Sequence, residues 1–167
     1  SFGVRSAIGG VTASVSNELA NFFNKFTEVT FMAGRCLGLK CCGSLASLFI
    51  VNLHLNPILP HNDKTNLLHE IHAETKKFAG FTLLLGDFSL IHSDEARCNL
   101  LDPVQAESRA KPRLAAFFEE EFSDFTEPHQ GAYTRHETRG DRYTTFSRLD
   151  RVYTNVPPTD LMDMHPH

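Results

Sequence analysis

Leu45 to Leu55 (LASLFIVNLHL) is nearly continuous in large apolar and β-branched residues, and nothing else in the chain constrains its fold as strongly. A short unbroken apolar run of this kind is the mark of a strand covered on both faces. The stretch is therefore expected to be central in a sheet. Other elements must supply the cover, and the flanking sequence offers them. Pro57 and Pro60 close the run, and Asn62 or Asp63 can cap a helix in which Leu67, Leu68, Ile71 and Phe78 recur at helical spacing. Gly80 is a suitable stop for that helix. Phe81 to Leu85 then reads as a second buried strand that breaks off at Gly86-Asp87. After a polar loop to Pro112, a further helix would pack Leu114, Phe117 and Phe118, leaving Glu119, Glu120 and Glu121 mostly to solvent.

Weaker strand signals stand at both ends. Val11 to Val15 alternates apolar with small polar residues behind Gly9-Gly10, and Glu28 to Met32 is a second candidate. In the last third, Tyr143, Phe146, Leu149 and Val152 alternate with Thr, Ser and Arg, as strands with one wet face do. Strands, helix, strand, helix and strands in that order favour a layered α/β domain with two sheets packed face to face and helices outside. With 167 residues, 41% hydrophobic and 14 of them Phe, there is apolar surface enough for one real core.

The formal net charge of -4 gives no global attraction to nucleic acid, which rewards a basic face through counterion release. Arg135, Arg139, Arg142, Arg148 and Arg151 nevertheless gather positive charge into one stretch, either a solvated strand edge or a phosphate-binding patch. Cys36, Cys41, Cys42 and Cys98 form no C-x-x-C pair and are expected as free thiols, which fits an intracellular setting, nuclear or cytoplasmic. No apolar run approaches the ~20 residues of a membrane span, so no membrane partner is expected. Both ends read as cut, since the chain opens on Ser1-Phe2-Gly3 and closes on Met164-His165-Pro166-His167.

Three polar residues stand where apolar strands leave the core: His54 in VNLHL, Asp87 in LLGDFS and Asp150 in FSRLDRVY. A histidine and two aspartates suffice to hold a divalent cation and move a proton. Taken singly, each has a plain reading as a hydrogen-bonded core histidine, a turn aspartate and a strand ion pair. His69-Glu70-Ile71-His72 lacks the i, i+4 spacing of the H-E-x-x-H zinc motif.

Taken together, Val51 to Pro57, Leu83 to Ser89 and Ser147 to Tyr153 resemble, in order and rough spacing, three blocks of the endonuclease/exonuclease/phosphatase superfamily. Gly9-Gly10-Val11 and Gly34-Arg35 resemble two weaker blocks. Thr126 to Tyr153 is especially similar to the end of the endonuclease domains of non-LTR retrotransposons. The resemblance implies a DNase I-like four-layer α/β/β/α sandwich, here incomplete at both ends, with residues 1–167 as a partial domain. It implies a phosphodiesterase that uses Mg²⁺ or Mn²⁺ to hydrolyse a nucleic-acid backbone, or, with the same fold, a phosphoinositide or other small phosphoester. By its pattern Asp87 meets the metal or orients the attacking water, Ser89 and Arg148 bind the substrate phosphate, and His54 lies against that phosphate. Asp150 orients a histidine of a downstream Ser-Asp-His block.

Three departures from the pattern bear on activity. Ser89 stands where the family has Asn, exchanging a planar amide donor for a shorter hydroxyl. The upstream Gln-Glu block and the closing Ser-Asp-His have no counterpart in these residues, and Thr159-Asp160 with His165 does not replace the latter. Whether the chain is an enzyme is thus left open: it reads as a fragment inactive by itself or as a non-catalytic relic serving as a binding module.

Overall fold

The computed structural model describes residues 10–89, 97–99, 113–128, 135–139, 143–147 and 150–157. A five-stranded sheet organises them. It is built from β1 (Lys25–Met32), β2 (Cys36–Cys42), β3 (Ser47–His54), β4 (Phe81–Asp87) and β8 (Asp150–Thr154), in the order β1-β2-β3-β4-β8. The apolar run thus becomes the middle strand, antiparallel to β2 and parallel to β4. The parallel pairing requires a crossover, and α2 (His61–Lys77) provides it. A smaller sheet joins β5 (Arg97–Asn99), β7 (Tyr143–Ser147) and β6 (Arg135–Arg139) in that order.

The two faces of β3 are covered unequally. Phe49, Val51 and Leu53 are fully buried, whereas Leu48, Ile50, Asn52 and His54, on the opposite face, are only half-buried. Expected cover on both sides gives way to alternation because Asn52 and His54 interrupt the apolar residues on one face. Leu45 lies outside the strand and is 95% exposed.

Against the buried face sit α2 and a second long helix, α3 (Arg113–Glu121). Leu67, Leu68 and Ile71 of α2 and Leu114 and Phe118 of α3 share one apolar cluster with Phe49, Val51, Leu53, Leu84 and Tyr153. Phe88, Phe118 and Tyr153 touch one another edge-on or tilted, with ring centroids 4.8 to 5.5 Å apart, a geometry that adds about 0.5–1.5 kcal/mol per pair beyond area burial. Lys40 of β2 ties this face to α2: its Nζ donates to Glu74 Oε2 at 2.8 Å. That bond, reinforced by one from Lys77, pulls the Glu74 carboxyl down to about 2.

Three local expectations are corrected. Val11 to Val15 forms no strand; its small residues bury little, and the segment is held by Asn52 Nδ2 donating to Thr12 O. The helix starts one residue before Asn62, with Pro60 at its cap, where a missing N–H costs nothing. Asn62 and Asp63 fall in the first turn, and Asp63 there complements the helix dipole. The helix ends at Lys77 with Phe78 as its C-cap, and Gly80 serves close approach instead, since a side chain there would strike the Ser47 carbonyl. Among the described residues, no helix is long and apolar enough to cross a membrane. Cys36, Cys41 and Cys42 are free thiols, and burial pushes Cys36 up to about 12.

Candidate active site

At one end of the large sheet His54, Asp87 and Asp150 stand side by side. His54 pairs with Asp87 in the parallel β3/β4 ladder, and Asp87 pairs with Asp150 in the antiparallel β4/β8 ladder. Directly paired residues project to the same face, so three strands that are distant in sequence form one polar row. Each lies at a strand end, His54 and Asp87 at the C-terminal ends and Asp150 at an N-terminal one.

The row is held by its own backbone. Leu55 N–H donates to Asp87 O and His54 N–H donates to Arg35 O, both at 2.8 Å. Gly86, at φ 128°, lies so close to β3 that an added Cβ would meet the Leu53 carbonyl, and this contact brings Asp87 beside His54. Beyond Asp87 the chain turns at Ser89, which has φ 47°. Its N–H and Oγ both donate to Asp87 Oδ1, at 2.8 and 3.0 Å. One carboxylate oxygen is thereby occupied, while Oδ2 lies 3.9 Å from His54 Nε2. The His54 and Asp87 side chains are 40% and 33% exposed, open enough to meet a ligand. The reading of His54 as a sealed core residue is therefore excluded.

Arg35 was legible only as the weaker Gly34-Arg35 block, yet its Nη1 lies 3.1 Å from His54 Nδ1. Arg148 lies outside the described residues, as do Arg142, Thr159, Asp160 and His165. Within the arginine stretch Arg151 is corrected. It projects to the helix-covered face, its side chain is 1% exposed, and Nη1 bonds Glu127 Oε2 at 2.7 Å, so it belongs to no surface patch. In the alternative reading of Asp150 as a strand ion pair between two arginines, Arg151 is engaged instead by Glu127, and Arg148 lies outside the described residues.

Glu121 was expected to face solvent but is half-buried. His69 Nδ1 and His72 Nδ1 both bond its Oε1, at 2.8 and 2.9 Å. Burial pushes the Glu121 carboxyl up, but the two histidine bonds outweigh that and leave it below its ordinary value. The helical period carried this signal, because Glu121 follows buried Leu114 and Phe118 by seven and three residues.

The strand order, with helices on one face, matches a known architecture. The endonuclease domain of TRAS1, a telomere-specific non-LTR retrotransposon, superposes with a TM-score of 0.54 at 11% identity, over 83% of this chain and 58% of that one. The fold is DNase I-like. Two further DNase I-like relatives in structure are the TDP2 of D. rerio, solved with a single-strand DNA product, and an endonuclease/exonuclease/phosphatase family protein from Leptotrichia buccalis. The former gives a TM-score of 0.48 at 14% identity over 82% of this chain and 54% of that one. The latter gives 0.46 at 14% over 80% and 50%. The chain thus spans little more than half the length of these solved domains. No family model and no curated protein matches the sequence.

Among the described residues no group of three or more His, Cys, Asp or Glu is arranged to hold a metal ion. Mg²⁺ in phosphoryl sites is commonly held by one or two carboxylates, with water and phosphate completing the shell. Asp87 fits that lesser role, with Oδ1 fixed by Ser89 and its side chain partly exposed.

Proposed function

We propose that residues 1–167 are part of a metal-dependent phosphodiesterase domain of the endonuclease type, which in full cleaves a nucleic-acid backbone. The observation that carries this is the row His54, Asp87, Asp150 at one end of a DNase I-like sheet. Asp87 would hold Mg²⁺ or Mn²⁺, which when bound supplies Lewis-acid stabilisation of a phosphoryl oxygen. Ser89 fixes the Asp87 carboxylate and stands at the position that would bind the phosphate. His54 lies against that phosphate, and Arg148 would contact it as well. Asp150 would orient a histidine supplied by a Ser-Asp-His block. Residues acting as a unit fail together, so the 167 residues alone are expected to cleave at background.

A non-catalytic reading is favoured by one observation: Ser89 turns its hydroxyl back on Asp87 Oδ1, where an Asn amide could point outward. Asn also tolerates positive φ better than Ser, so Ser89→Asn is sterically compatible with the turn.

The test extends the chain with upstream Gln-Glu and downstream Ser-Asp-His blocks and measures single-turnover cleavage of duplex DNA, single-stranded DNA and a soluble phosphoinositide head group. DNA cleavage that requires Mg²⁺ and is lost in Asp87→Ala is expected. Ser89→Asn should raise the rate about ten- to a hundredfold, the ~1.5–3 kcal/mol of a hydrogen bond to a charged group. Cleavage of the head group alone would replace the substrate, and a folded protein that cleaves nothing would leave a binding relic.

A further inference from the structure

We propose that Arg35 is a positioning residue for His54, holding the neutral ring with its proton on Nε2 and so presenting an N–H donor, not a base, to the open end of the sheet. A guanidinium carries N–H donors and no acceptor, and it stays protonated. Its Nη1 lies 3.1 Å from His54 Nδ1, which must then offer a lone pair. A proton on Nδ1 would set two donors against each other, so the ring proton belongs on Nε2.

The backbone makes this contact a built one. Gly34 takes φ 68° in the turn between β1 and β2, Arg35 N–H closes that turn on Met32 O at 3.0 Å, and Arg35 O accepts the His54 N–H at 2.8 Å. The same residue thus grips His54 through main chain and side chain together. On the far side, Nε2 stands 3.9 Å from Asp87 Oδ2, beyond the 2.7–3.2 Å of a hydrogen bond. The N–H is therefore not taken up by Asp87, and a phosphodiester oxygen has the matching acceptor chemistry. This last step rests on the phosphodiesterase reading, whereas the tautomer does not.

The two are separated by experiment. Long-range ¹H–¹⁵N correlation on the histidine-labelled chain at pH 8 should show His54 with Nδ1 unprotonated and Nε2 protonated. Arg35→Met should lose that single pattern while the remaining histidines keep theirs. In the extended, cleaving protein, Arg35→Met should lower turnover roughly ten- to a hundredfold, as expected when a reacting group is misplaced by about 1 Å. A wild-type spectrum with the proton on Nδ1, or one unchanged in Arg35→Met, would overturn the proposal whatever the activity. Where Arg35→Met fails to fold, the wild-type tautomer alone decides it. The expected tautomer in an extended protein that cleaves nothing would uphold the positioning and sink the phosphodiesterase reading.

Discussion

Arg151→Ala is expected to destabilise the protein by about 3–5 kcal/mol, the cost of removing one partner from a buried ion pair. The side chain is 1% exposed and bonds Glu127 Oε2 at 2.7 Å, while its Nε and Nη2 are buried with no hydrogen-bond partner among the described residues. Removing it takes the buried cation from beside Glu127 and leaves a void on the helix-covered face beside Gly86. Denaturant unfolding followed by circular dichroism measures the loss. The pairing explanation carries a second requirement: Arg151→Met with Glu127→Gln should recover much of the stability, since the buried charge is then gone. A double variant as unstable as Arg151→Ala would show that packing, not charge, sets the cost.

Gly86→Ala should be comparably damaging and should strike the site first. At φ 128° an L side chain is strained, and its Cβ would meet the backbone oxygen of Leu53. Such strain costs about 1–3 kcal/mol, and overpacking adds a similar amount. The neighbour is a carbonyl of the β3/β4 ladder, so relief requires parting the strands that set His54 beside Asp87. Amide hydrogen exchange should therefore show Leu55 and Asp87 losing protection before the β1/β2 pairs do. Uniform loss across the sheet, or none, would contradict this placement of the strain.

The long apolar strand, both long helices and the strand leading to Asp87 were legible because their hydrophobic residues follow the period of their element. β2 was not read as a strand: CLGLKCC mixes Gly and Lys with thiols, and Gly38 is there because the Phe49 and Phe31 rings leave no room for a side chain. That is a tertiary cause with no local trace. Val11 to Val15 failed in the opposite sense, since it alternates correctly but brings too little apolar surface to join the sheet. For the site, the strand-end position of His54, Asp87 and Asp150 could be read, whereas their adjacency depends on strand order. The Arg35 contact depends on a turn at Gly34 that sets the start of β2 against the end of β3. Glu121 was misplaced because three consecutive glutamates look like a solvated face, although the helix period turns only two of them outward.

The central claim is that the row at the sheet end is where a divalent cation and a phosphodiester would meet, and Mn²⁺-induced broadening of backbone amide resonances tests it on the chain as it stands. Substoichiometric Mn²⁺ should broaden His54, Asp87, Ser89 and Asp150 first, with Asp87→Asn removing the effect at all four. Broadening centred on His69, His72 and Glu121, or broadening at the row that persists in Asp87→Asn, would contradict the account.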